Sequence, residues 1–210
     1  SNESDNLLYA GRVAINLWDP ELAPAYYTGS TYFGAANIFT IGLVVQQQSD
    51  GVGTAADKGD FLGYNIDVLF ETKDTGSGSL TLEGAAYKYD TDDVVDNPSN
   101  PGNDFNVGGI VQGDAYLLGA AYLFPQQVGW GKFQPYVRYQ KFEGDKITSG
   151  GVVELYDSDI ERYDIGVNYV IAGPNAKISL TYFDTDADSG EPGVDSDSTN
   201  GVILGVQLQF

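Results

Sequence analysis

The densest run of potential ligands in the chain is "DTDADSGEPGVD". Its carboxylates Asp184, Asp186, Asp188 and Asp195 fall at positions 1, 3, 5 and 12 of a calcium-loop spacing. Oxygen donors are what a hard cation requires, but Ser189 stands where such a loop carries Gly, and position 12 is Asp rather than Glu. No flanking helices are expected. The run therefore reads in two ways, as a calcium site or as a solvated acidic loop. In a looser version, acidic loops share Ca²⁺ or Mg²⁺ with lipopolysaccharide phosphates, and no other cofactor is expected.

Paired carboxylates could also do acid–base work. Asp67 and Glu71, four apart on one strand face, stand about 13 Å apart by strand rise, wider than a glycosidase pair. The chain has no Cys, Met or His, so a Ser–His nucleophile cannot be assembled. Gly-rich patches such as "GSGS" lack the Lys and helix of a phosphate loop. Asp164 beside Arg138 or Arg162 reads as a salt bridge. No enzyme is expected. With 30 acidic against 10 basic residues and a net charge of −20, nucleic acid is excluded as a partner, because neutralising phosphates takes clustered Lys and Arg.

The elements that carry these residues are strands. Nine segments of roughly ten residues alternate apolar and polar side chains with period two, from "LLYAGRVAINL" near the start to "GVILGVQLQF" at the end. In the last, Val202, Leu204, Val206, Leu208 and Phe210 share one face, and Gly205, Gln207 and Gln209 the other. No apolar run approaches the ~20 residues of a membrane-spanning helix. "SNESDNLLYAG" has neither the basic nor the apolar region of a signal peptide, so the expectation is either a cleaved signal or a chain that begins partway through a longer protein.

The connections alternate in length. "TKDTGSG", "PQQVGWG" and "AGPN" are short. "QSDGVGTAADKGD", "DTDDVVDNPSNPGNDFNVGGIVQGD", "EGDKITSGGVVELYDSD" and "DTDADSGEPGVDSDSTN" are long and polar. Short turns at one rim and long loops at the other is the arrangement of an outer-membrane barrel. The competing reading is a soluble sandwich or lipocalin-like barrel. Tyr and Phe at strand ends, with Arg, Asp, Glu, Asn and Gln on the opposite face, favour an inside-out membrane wall.

The fold expected is thus all-β, an antiparallel transmembrane barrel. Its pore lining would be Arg12, Asn16, Asn65, Asp67, Glu71, Glu83, Arg138, Arg162, Asp164, Asn168 and Lys177. Trp18 and Trp130 suit the headgroup layer at short-turn ends. Gly42, Gly63, Gly119, Gly166 and Gly205 point inward and make room for bulky neighbours. Pro135 removes one ladder hydrogen bond, so a bulge or unpaired position is expected there. Asp90–Asp114 and Asp184–Asn200 each hold six acids and no base, which gathers negative charge at the outer mouth.

Several phrases carry a family likeness: "LLYAGRVAINLWDPE", "YYTGSTYFGAANIFTIG", "AAYLF", "FQPYVRYQKFEGD" and "ERYDIGVNYVIAGPNAKISLTYF". With the terminal strand they resemble the C-terminal half of the phosphate-selective porin O/P-type family. The resemblance implies an integral outer-membrane porin of about sixteen strands, usually a homotrimer, that passes small hydrophilic solutes. The charges expected inside, Arg12, Arg138, Arg162 and Lys177 against Asp67, Glu71, Glu83 and Asp164, form a balanced lumen rather than an arginine ladder. Phosphate specificity is therefore not carried over. The odd strand count leaves two readings: the larger porin without its first strands, or a small closed barrel in which "AYYTGSTYF" supplies a tenth strand.

Overall fold

A computed structural model describes residues 5–20, 31–53, 58–94, 112–149 and 152–209. All nine expected segments are strands: β1 (Tyr9–Asn16), β2 (Ile38–Gly53), β3 (Lys58–Glu71), β4 (Ser79–Asp90), β5 (Gly113–Leu123), β6 (Lys132–Gly144), β9 (Ser158–Val170), β10 (Ala176–Asp188) and β11 (Asp197–Leu208). They form one antiparallel sheet in the order β1-β2-β3-β4-β5-β6-β9-β10-β11, open between β1 and β11. A separate small hairpin, β7 (Ile147–Ser149) with β8 (Val152–Leu155), rises within the link after β6. Among the described residues no helix is long and apolar enough to cross a membrane.

One face of the sheet is apolar and uncovered. On β11, Val202, Leu204, Val206 and Leu208 are all exposed, Leu204 at 71 %, while Gln207 turns to the other side and donates to the Pro174 carbonyl at 3.0 Å. Phe210 lies outside the described residues. Val13, Leu43, Ile66, Leu82, Leu118, Val137, Ile165 and Leu180 continue the exposed row around the sheet. An apolar surface of this extent, with polar groups on the reverse face, is the inside-out pattern of a membrane wall.

Aromatic residues bound this band. Trp18 packs edge-on against Phe39 and Phe70, with ring centroids 5.7 and 5.1 Å away, and Phe133 meets Tyr169 at 5.1 Å, all towards the rim that carries the short links. Tyr9, Tyr64, Tyr116, Tyr163 and Tyr182 are exposed towards the other end of their strands. The register row Phe39–Phe70–Leu82–Ala120–Val137–Ile165–Tyr182 starts in the first belt and finishes in the second. The strands are therefore inclined to the membrane normal, as a barrel wall requires.

Two long links differ from expectation because the strands run on past the apolar band. β2 and β3 extend to Gly53 and from Lys58, so little of "QSDGVGTAADKGD" remains a loop. Asp184, Asp186 and Asp188 stand on β10, in register with Asn200, Ser198 and, across the other side, Asp159. Most of the acidic link after β4 lies outside the described residues. So does most of "AYYTGSTYF", whose described end, Thr31–Phe33, forms no strand. Of the two alternatives expected at Pro135, the structure shows the unpaired position, on the β5 side, and no bulge. The ladder to β5 ends at Ala121–Tyr136, one residue short of it, so the missing N–H is not needed there.

Candidate pore-facing wall

The polar face lines an open cavity of about 820 Å³, bordered by side chains from β1 to β6, β9 and β10. Arg12, Asn65, Asp67, Glu83, Arg138, Asn168 and Lys177, all expected to line a pore, stand on its wall.

Two ion-pair centres organise the wall. Arg12 on β1 donates both terminal nitrogens to Asp67 on β3, at 2.7 and 2.8 Å, and Asn65 adds a third contact at 3.3 Å. The two side chains meet above Gly42 on the intervening strand, where an added Cβ would strike both. On β9, Asp164 is 1 % exposed. It receives Arg138 through Nε at 3.0 Å, Arg162 through Nε at 3.0 Å and a terminal nitrogen at 2.9 Å, and Gln140 at 3.2 Å. Arg162 also lies over the Phe183 ring, 4.5 Å from its centre. A carboxylate holding two guanidiniums is well satisfied, and it keeps two positive groups side by side that would otherwise repel.

On β6, β9 and β10 the wall also carries neutral polar contacts. Asn168 donates to Gln134 at 2.9 Å and accepts from Ser179 at 2.7 Å. Tyr136 crosses Gly166 to share a hydrogen bond with Thr181. Glu83 likewise crosses Gly119, and Phe61 approaches Gly63. The inward glycines thus admit neighbouring side chains as expected, Gly205 excepted: nothing lies nearer to its added Cβ than Ser179 Cβ at 3.9 Å. This contrast gives a test. Gly166→Val forces the Tyr136 ring away and should destabilise the fold by about 1–3 kcal/mol. Gly205→Val should change the urea unfolding midpoint little.

Four expected lining residues do not border the cavity. Asn16 serves the turn after β1, donating to the Asp19 carbonyl at 2.6 Å and accepting from the Trp18 amide at 3.1 Å. Arg162 and Asp164 point inward but engage each other and Arg138, and only Arg138 of the three borders the cavity. Glu71 requires a correction: it faces inward yet is 0 % exposed. The segment Thr31–Ala36, whose first three residues end the stretch offered as a tenth strand, folds over it instead. Glu71 accepts the Gly34 amide at 2.6 Å, the Tyr32 amide at 3.2 Å and the Thr81 hydroxyl at 3.1 Å. The only cue in the sequence is a long connection, residues 17–37, at the rim where the other links are short.

That rim is also tied by Asp74 in the β3–β4 turn. Its carboxylate accepts Lys132 at 2.7 Å and the amides of Gly76 and Gly78 at 2.8 and 3.1 Å. The Lys132 ammonium first, then the Gly76 amide, holds the Asp74 carboxyl below the ordinary Asp range. At the opposite rim, Asp184, Asp186 and Asp188 lie along an extended strand, so the first and last are separated by about 13 Å of rise. Among the described residues no three carboxylates converge as a metal site would need.

Comparison with curated proteins and with solved structures returned no match. A sequence model of the family described as phosphate-selective porin O and P matches residues 38–210, from the start of β2 onwards. With an all-β wall, apolar outside and polar inside, over that same span, the chain belongs to the phosphate-selective porin O and P family of outer-membrane porins.

Proposed function

We propose that this chain walls a passive diffusion channel for ions and small hydrophilic solutes in the outer membrane, with a weak preference for cations. The observation that carries the reading is the two-faced sheet, with its charged inner face around the cavity and its apolar outer face uncovered. The inner charges nearly cancel, so they supply orientation and width rather than phosphate selectivity. Negative charge collects instead at the long-link rim, where Asp90, Asp92, Asp93, Asp114, Asp145, Asp186 and Asp188 lie at or beyond the strand ends. Like charges around a low-dielectric mouth concentrate counter-ions and repel anions. Assembly as a homotrimer, and divalent bridging between the acidic rim and lipopolysaccharide, belong to the same proposal.

Planar-bilayer recording of the purified protein tests it. Discrete conductance steps are expected, with a reversal potential on the cation side in a salt gradient that fades as salt screens the mouth. Clear anion preference would refute the selectivity. Silence would favour a second reading, a surface-interaction barrel with a plugged lumen, which draws support from the Thr31–Ala36 segment lying across the inner face.

A further inference from the structure

We propose that Thr31–Ala36 is a fixed constriction at the short-link end of the channel, latched to the wall by Glu71, and that it sets the channel's conductance. This rests on the diffusion-channel reading above. The segment reaches well inside the sheet. Phe33 is buried against Leu123 of β5 and Val170 of β9, and the Lys177 ammonium of β10 stands 5.7 Å from the centre of its ring. The segment, part of the β1–β2 connection, is therefore held beside the end of β3 and projects a ring towards β10, with Thr31 and Phe33 forming part of the cavity's lining.

Two features keep it there. Phe33 and Gly34 both adopt left-handed backbone, at φ 52° and 77°. Such geometry at a bulky aromatic persists only where its surroundings enforce it. The enforcement comes from Glu71, whose carboxylate takes the amides on either side of Phe33. The Gly34 carbonyl in turn accepts the Asp74 amide at 2.9 Å. Gly34 is also packed so closely on Asp74 and Ser79 that an added Cβ would lie 2.9 Å from each of their Cβ atoms. A wholly buried carboxylate spent on two loop amides has no role in solute contact. Its place is to hold the loop.

The full-length porin, recorded in planar bilayers, decides the matter. Glu71→Ala should raise unit conductance by about half or more, because a freed segment no longer narrows the lumen. Glu71→Gln, which keeps one acceptor, should fall between. Phe33→Ala should raise conductance with the latch intact. As the chain has no Cys, Phe33→Cys reports burial directly. A small water-soluble thiol reagent should modify it at least roughly tenfold faster when Glu71 is Ala, and in the Glu71 background far more slowly than Gln46→Cys on the open wall. If Glu71→Ala does not fold, Phe33→Ala and the two single-cysteine proteins still decide. Wild-type conductance in Phe33→Ala, or equal modification of the Phe33→Cys and Gln46→Cys proteins, overturns the constriction alone. A silent wild type overturns it together with the channel.

Discussion

Val137→Arg is expected to destabilise the folded wall by about 2–4 kcal/mol, the cost of a cationic side chain near the bilayer midplane. Val137 is 52 % exposed on the apolar face, between the Phe133 and Tyr139 levels of β6, and pairs with Ala120 and Ile165 on its two sides. No carboxylate on that face lies near enough to compensate. The same substitution at Gln46, on the cavity side of β2, should leave stability within about half a kcal/mol, as solvated surface changes usually do. Equilibrium unfolding in phospholipid vesicles measures both. Equal effects at the two positions would mean that the faces are not divided between lipid and water.

Asp164→Asn carries the second large effect. The change preserves shape but removes the charge that balances Arg138 and Arg162. An amide also presents an NH₂ group to donors, so at least one guanidinium contact is lost. Hydrogen bonds to a charged group contribute about 1.5–3 kcal/mol. Both arginines are about one-third exposed, so water recovers part of that, and a net loss of about 2 kcal/mol is expected. The inner face also gains one positive charge, so the reversal potential should move towards anions. An unchanged potential would show that the mouth, rather than the wall, sets selectivity.

These outcomes depend on features of unequal legibility. Period-two alternation in "ERYDIGVNYV" or "NAKISLTYFD" gives both the strand and its two faces, because a one-residue slip would put Asp164 or Lys177 into hydrocarbon. The inward set was therefore readable strand by strand. Register between strands was not, since it depends on which residues meet across the ladder. Only the paired sheet shows Arg12 and Asp67 closing over Gly42, or Tyr136 crossing Gly166 to reach Thr181. Asp164 with Arg138 and Arg162 is accessible to both, as one acid and two bases fall on inward positions of neighbouring strands. Glu71 shows the limit. Parity assigned its direction correctly, but its burial comes from Thr31–Ala36, whose course follows no periodicity. The acidic spacing at Asp184–Asp195 failed differently. A linear ligand pattern matches a calcium loop only if the backbone curls, and β10 stays extended through Asp188.

The two margins of the sheet impose a counting rule on anything that seals it. β1 and β11 both descend from the acidic rim to the Asp74 rim, as their pairings with β2 and β10 require. Sewn directly together they would make a parallel seam in an otherwise alternating wall. A complement that preserves alternation has odd parity, so grafting a single hairpin onto either margin would leave the mismatch in place, whereas one strand or three would cure it.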